Sequence, residues 1–302
     1  MVHDTDSGEA SVLGPCHDRL VTAVVLAAAW WPDHDWSAAT RHCGAFHEVL
    51  VLPGHVTARV SKRPDPRRRV AAEHRVLSVL GAAGRWAIPA ILGEPRSSPC
   101  GHAGMLTTWV PGHHREDVSW PDVAGELGTL LAALAAGQVF TESAELPPAR
   151  TWCGGLDLPE LVRTTLVPLL PVEARGPAAD AVATVLDQER GAVLVHGDLG
   201  PHNILWTTEG RISALVDLDH AALGDSAIDV APLVGRYGAA ALSEVVEPDV
   251  LRRAMVHRAT LSLQVAAAAE LAGDHRLRDF ALRNFATRLA AGALHDPGGA
   301  RP

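Results

Sequence analysis

The apolar positions of this chain fall into a β-like front and a helical back. Leu20 to Trp31 is a nearly unbroken apolar run of 12 residues, and it predicts a first buried helix over 17–31. The run is too short to cross a bilayer. Residues 38–52 then read as β, meet Pro53-Gly54, and are followed by a short strand over 55–62. A Pro-Gly pair between two apolar runs predicts a hairpin. Val70, His74, Leu77 and Leu80 recur at helical spacing, so a helix is expected over 67–82, ended by Gly81 and Gly84. Short strands over 87–93 and 103–110 complete a small sheet. After Pro111-Gly112 the helical period takes over, with helices expected over 121–136, 158–169 and 177–189. A cluster of short strands from 192 to 217 precedes a helical remainder over 226–292. Strands and helices in separate blocks point to an α+β fold rather than a doubly wound sheet. The pattern changes at 110, which divides a β-rich lobe (1–110) from a mainly helical one (111–302).

A length of 302 residues suits two domains or one bilobal unit, and 47% hydrophobic content excludes disorder as the main state. Aromatic residues are only 4%, so the core is built from Ala, Val and Leu. The formal charge of −9 is unevenly spread: residues 1–110 hold 11 Lys+Arg against 10 Asp+Glu, and residues 111–302 hold 15 against 25, a net of −10. An acidic back half argues against nucleic acid as a partner and suits a cationic one. Lys62 is the sole lysine beside 25 arginines. Because it lies between Ser61 and Arg63, it excludes a Walker A loop. With Arg59 three residues before it, it also excludes a Ser-x-x-Lys acylase. Neither Gly-x-Ser-x-Gly nor His-Glu-x-x-His occurs. Cys16, Cys43, Cys100 and Cys153 are scattered with no Cys-x-x-Cys pair, which is expected of a reduced, cytoplasmic chain rather than a zinc site or disulfide framework. Asp4, Asp6 and Glu9 give the N-terminus the wrong charge for a secretory leader.

The chemistry concentrates in Val193–Val230. The segment VLVHGDLGPHNIL presents Asp198 and then Asn203 on a loop between apolar flanks, and ISALVDLD ends an apolar strand on Asp217 and Asp219. Phosphoryl transfer needs a carboxylate to accept a hydroxyl proton, and hard oxygen ligands for Mg²⁺ on the triphosphate. Asp198, Asn203 and Asp217 supply all three, and the spacing of five between Asp198 and Asn203 equals that of the protein-kinase catalytic loop.

Three motifs in order, HGDLGPHNIL, VDLD and GDSAIDVA, make this region similar to the aminoglycoside phosphotransferase family, over about 20–290. The resemblance implies a bilobal, kinase-like fold and an ATP-dependent transfer to a hydroxyl, with GTP as the alternative donor and Mg²⁺ as cofactor. Asp198 would be the catalytic base, and Asn203 and Asp217 the metal ligands. It also implies a strand cation for the nucleotide phosphates, paired with a helix Glu. Val56-Thr-Ala-Arg59 fits the register of that strand, so Arg59 and Glu73 are expected in these roles, with Lys62 on the opposite face. Only Gly44 remains of a glycine-rich loop, which implies a looser hairpin over the phosphates. Residues 105–112 resemble the segment joining the lobes, with the backbone of Thr108 and Val110 facing adenine. Asp225 and Asp229 are expected to cap the next helix and brace the catalytic loop.

The acidic back half then suggests a cationic antibiotic as acceptor, either an aminoglycoside or a basic tuberactinomycin peptide of the capreomycin and viomycin type. Phe46-His-Glu-Val49, His196–Trp206 and Leu233–Gly238 are similar to the phosphotransferases that act on those peptides. Asp219, His220, Glu270 and Asp274 are candidate substrate contacts, although Glu270 and Asp274 also fit a solvated helix face. Two alternatives stay open: a kinase of another small molecule (an amino alcohol, a sugar, a macrolide), and a catalytically dead nucleotide-binding protein.

Overall fold

The computed structural model describes residues 22–43, 47–61, 66–80, 85–115, 117–137, 146–191 and 193–302. These divide into two compact units: residues up to Val70 with Leu92–Trp109, and Ala71–Ile91 with Val110–Pro302.

The first unit holds helix α1 (Ala23–Trp30) and a five-stranded antiparallel sheet of β1 (Thr40–Cys43), β2 (His47–Leu52) and β3 (Val56–Ser61), with two later strands. Helix α2 (Pro66–Val79) starts here and carries the division between units at Val70. The later strands are β4 (Arg96–Ser97) and β5 (Ala103–Thr108), and the spatial order is β1-β2-β3-β5-β4. Gly54 takes φ +77°, a left-handed value that suits glycine, and turns β2 into β3 as the Pro-Gly signal predicts. Alternation along β3 turns Val56, Ala58 and Val60 into a core with Leu26, Ala27, Trp31, Trp36, Leu50 and Leu106, while Thr57 and Arg59 stay half-buried. Gly44 and Lys62 lie outside the described residues.

The expected strand over 87–93 does not form as one strand: at its far end Leu92 N–H donates to Leu106 O of β5 at 2.9 Å. Ala87 instead makes a parallel bridge to Ala214 in the second unit, its N–H donating to Ser213 O at 2.9 Å. There β6 (His113–His114) pairs with β8 (Ile204–Trp206), which pairs with β9 (Ile212–Leu215); β7 (Val193–Val195) pairs with β10 (Ala222–Gly224). The helices are α3 (Trp120–Ala135), α4 (Leu158–Leu161), α5 (Val172–Gln188), α6 (Ala227–Tyr237), α7 (Ala239–Leu242), α8 (Pro248–Leu271) and α9 (His275–Ala290). The helix expected over 158–169 is present but changes pitch along its length. After α4 the chain widens into a π turn (Val162–Leu166) and tightens into a 3-10 turn (Val167–Leu169), because Pro168 has no N–H to donate back and its ring crowds the preceding turn. Pro177 does not open α5 but lies in its second turn. Helix α8 is the axis of the unit: 16 of its 24 residues are buried, six of them alanines that let α5, α6 and α9 pack closely.

Cys43 and Cys153 are free thiols. Burial pushes the Cys153 thiol up to about 12, so it is an inert core group. Cys100 is disulfide-bonded, with its partner outside the described residues, so a fully reduced chain is not what the structure shows. No described helix is long and apolar enough to cross a membrane.

Candidate active site

The antiparallel β7–β10 pair presents the loop His196–Asn203, and α6 fastens it. Asp229, in the first turn of α6, is buried at 2% exposure and accepts from two consecutive backbone donors, His196 N–H on Oδ2 and Gly197 N–H on Oδ1, both at 2.9 Å. Burial raises its carboxyl above the usual range, although His196 and these two N–H groups oppose the rise. Gly197 has φ +86°, and a Cβ there would stand 2.2 Å from the backbone oxygen of His220. Close approach of the two loops thus requires glycine. We expect Gly197→Ala to cost on the order of 1–3 kcal/mol, from left-handed strain alone, and to lower turnover more than it lowers the melting temperature. Thermal denaturation beside steady-state kinetics measures both.

Above this brace the polar residues are locked to one another. The ring of His196 is fully buried: Nδ1 accepts from Asp198 N–H at 3.3 Å, which leaves Nε2 protonated to donate to Val216 O at 2.9 Å. Val216 N–H in turn donates to Asn203 O at 3.0 Å, so the loop and the end of β9 are stitched together just before Asp217. Asn203 Nδ2 donates to Asp198 O at 2.8 Å and to Asp198 Oδ2 at 3.2 Å. With the amide nitrogen so committed, its oxygen faces the other way. Asp217 takes φ +63°, a strained value for any residue except glycine, though aspartate tolerates it better than most. The structure therefore brings Asp198, Asn203 and the strand end carrying Asp217 together within the second unit. Burial pushes the Asp198 carboxyl up, but the facing His202, His220 and His196 outweigh it and hold the group below the ordinary carboxylate range. A carboxylate, an amide oxygen and a second carboxylate are hard oxygen donors of the kind that Mg²⁺ takes. Among the described residues no three His, Cys, Asp or Glu side chains cluster as a metal site. An ion held mainly by nucleotide phosphates and water needs no such cluster.

Beneath the loop lies a second charged layer. Asp225 is fully buried and accepts from Ala227 N–H (3.0 Å), Arg190 N–H (2.9 Å) and Arg253 (2.7 and 3.1 Å), with His257 at 3.8 Å. Arg253 also pairs with Asp249, and His257 Nδ1 lies 3.0 Å from Arg150 Nη2, which belongs to a guanidinium paired to Glu189 at 2.9 Å. Burial works against ionisation of Asp225, yet His257, Arg253 and the two N–H groups hold its carboxyl far below the usual range. The cap and brace expected of Asp225 and Asp229 thus take a specific form: Asp225 caps α6 and anchors α8, and Asp229 holds the loop.

The other expected residues are more dispersed. Asp219 and His220 follow Asp217 directly, with His220 Nε2 3.9 Å from Asp219 Oδ2 and its ring stacked on Trp152 at 4.2 Å and 12°. Glu270 is held by Arg278 at 2.8 Å, with His275 at 3.7 Å, and Asp274 caps α9 by accepting from Leu277 N–H at 2.9 Å. Arg59 lies on β3, its Nη2 3.5 Å from His47 Nδ1, in the first unit; Glu73 is buried on α2 in the second. Thr108 ends β5, and Val110 opens the second unit in an apolar cluster with Leu205 and Ala214. Sequence reasoning missed Trp152, for which no local motif exists. It also passed over His202, whose signal was its position four residues after Asp198.

The model of the APH phosphotransferase enzyme family matches residues 45–280 of the chain. The chain belongs to that family. It is 31% identical over 254 residues to viomycin phosphotransferase of Streptomyces vinaceus, covering 77% of this chain and 87% of the relative. Among solved structures, the GDP complex of wild-type aminoglycoside 2'-phosphotransferase-IIIa aligns with a TM-score of 0.69 at 18% identity, over 88% of this chain and 97% of that one. The GDP and kanamycin complex of APH(2")-IIIa aligns at 0.67 and 17%, with the same coverage. A thermostable mutant of APH(4)-Ia in complex with ADP and hygromycin B aligns at 0.57 and 16%, over 90% and 99%. At such identities the structural likeness speaks for the fold, which is the kinase-like α+β fold of these phosphotransferases. The resemblance carried by HGDLGPHNIL, VDLD and GDSAIDVA is borne out, and the family makes this chain an enzyme of the phosphotransferase class.

Proposed function

We propose that this phosphotransferase moves the terminal phosphoryl group of ATP to a hydroxyl of a basic antibiotic, with a tuberactinomycin peptide such as viomycin or capreomycin as the first candidate and an aminoglycoside as the second. The observation that carries the reading is the convergence of Asp198, Asn203 and the Asp217 strand end, with the 31% relative giving the acceptor class. Asp198, ionised at neutral pH, orients the acceptor hydroxyl and takes its proton. Asn203, through its amide oxygen, and Asp217 are the residues that would hold Mg²⁺, which when bound offsets the negative charge of the phosphates. The backbone of Val110, whose side chain is buried with Leu205 and Ala214 beside the strand that follows Asn203, would face adenine. Arg59 retains the phosphate role on strand register alone, with Glu73 as its partner, and the backbone of Thr108 retains the adenine role on resemblance alone.

The enclosed space next to Gly197, walled by Trp152, His220 and Gln264, is about 20 Å³. That is room for roughly one water molecule, so an antibiotic-sized acceptor lies on the open face of the loop, against Asp219 and His220. The net −10 of residues 111–302 favours a cation there. Most of the rate then comes from positioning and electrostatics, because the transition state of phosphoryl transfer is loose. The test is mass spectrometry of viomycin, capreomycin and kanamycin after incubation with the protein, ATP and Mg²⁺. We expect a gain of one phosphate on a basic antibiotic. Phosphorylation only of amino alcohols, sugars or macrolides would overturn the acceptor class.

A further inference from the structure

His202 lies in the same turn as the proposed base, and its ring folds back across the loop. Its Nε2 stands 3.7 Å from Asp198 Oδ2, the oxygen that Asn203 Nδ2 already reaches at 3.2 Å. The Asn203 hydrogen bond thus falls on Asp198 Oδ2 and not on Oδ1. The imidazole is half exposed but closely seated on the backbone of Gly200: a Cβ built there would come within 2.4 Å of His202 Cε1 and 2.7 Å of Nδ1. Gly200 has φ −85°, which any residue adopts, so its backbone conformation does not call for glycine. Room for the ring does.

We propose that His202 is a positioning residue for phosphoryl transfer: with Asn203 it pins Asp198 Oδ2, so that Oδ1 is the oxygen turned toward the acceptor hydroxyl, and Gly200 is the space that admits it. The terminal torsion of a carboxylate is broad and roughly two-fold, so an unpinned Asp198 would share its rotation between two oxygens. The Asn203 hydrogen bond at 3.2 Å and the His202 ring at 3.7 Å both fall on Oδ2; closing the His202 contact to hydrogen-bond distance when substrate binds removes that freedom and gives the other oxygen a fixed direction, which a near-attack geometry requires. Only an N–H at Nε2 is needed, and both the neutral Nε2–H tautomer and the imidazolium supply it.

This inference rests on Asp198 as the base, and the experiment separates the two. Kinetics are measured on the full chain with ATP, Mg²⁺ and viomycin, or kanamycin where viomycin is not turned over. His202→Ala lowers kcat by about 10-fold or more while both KM values stay within about 3-fold, because the loss falls on orientation rather than binding. His202→Gln, which restores an N–H donor, returns kcat to within about 3-fold of wild type. Gly200→Ala displaces the ring and reproduces the His202→Ala loss, and the double variant is no worse than either single one, as coupled residues require. Should His202→Ala fail to fold, Gly200→Ala and His202→Gln decide alone. Wild-type kcat in the folded variants, or losses that simply add, overturns the role of His202. Turnover that persists in Asp198→Ala overturns the base assignment and this inference with it.

Discussion

Asp198→Asn removes turnover, with kcat down about 10²–10⁴-fold, the usual contribution of a positioned general base, and nucleotide affinity changed by less than a few-fold. The substitution is nearly isosteric, so the loop keeps its shape: His196 still ties Asp198 N–H to Val216, and Asp229 still holds His196 and Gly197. What disappears is an oxygen able to take a proton. Asn203 and Asp217, the proposed metal ligands, are untouched, so nucleotide binding in the presence of Mg²⁺ survives. Coupled-assay kinetics and calorimetric titration with a non-hydrolysable ATP analogue measure the two effects. A variant with kcat near wild type would remove Asp198 from the chemistry, and one that no longer binds nucleotide would move it to the donor site.

The largest stability effect is expected at Asp225. Its removal leaves Arg253 buried with only Asp249 at its rim, strands His257, and frees Arg190 N–H and Ala227 N–H. Breaking a buried pair from one side typically costs about 3–5 kcal/mol, or roughly 6–20 °C in melting temperature for a unit of this size. Replacing Asp225 and Arg253 together by apolar residues of similar volume recovers much of that loss, since the desolvation cost of both ions disappears. The pH dependence has a definite sign. The folded carboxyl of Asp225 titrates far below the unfolded value of about 3.9, so its stabilisation is complete above that value and fades as the pH falls through it toward the folded value. Urea unfolding of the wild type therefore loses free energy below about pH 4, and Asp225→Asn lacks that part of the acid limb. Equal acid slopes in the two proteins would refute the argument.

The motifs HGDLGPHNIL and VDLD were legible because phosphoryl transfer draws on few side-chain types at short spacings. A loop of eight residues contains nearly all of the geometry that joins Asp198 to Asn203. The hairpin at Pro53-Gly54, the helices over 66–79 and 120–135, and the α+β class followed from local periodicity and turn chemistry. Elsewhere local signals failed for identifiable reasons. Residues near 87 have β character, but which sheet they join depends on a partner, Ala214, more than 120 positions away. Pro168 sits where the helix over 158–169 narrows to a 3-10 turn, a change of pitch that periodicity does not register. Glu270 and Asp274 had the right charge for a cationic substrate, yet an ion pair with Arg278 and a helix cap account for both carboxylates.

Residue order was enough to establish which side chains carry the chemistry, since their types, sequence and spacing are themselves the chemical requirement. Folding alone decided how those side chains are held: the two oxygens of Asp229 beneath consecutive N–H groups, the His196 bridge to Val216, Trp152 laid flat on His220, and the Asp225 network that ties the start of α6 to α8. Each of these joins residues 20 to 68 positions apart. Hydrogen bonds and ring contacts act over a few ångströms, and only the tertiary arrangement reduces such chain separations to that range.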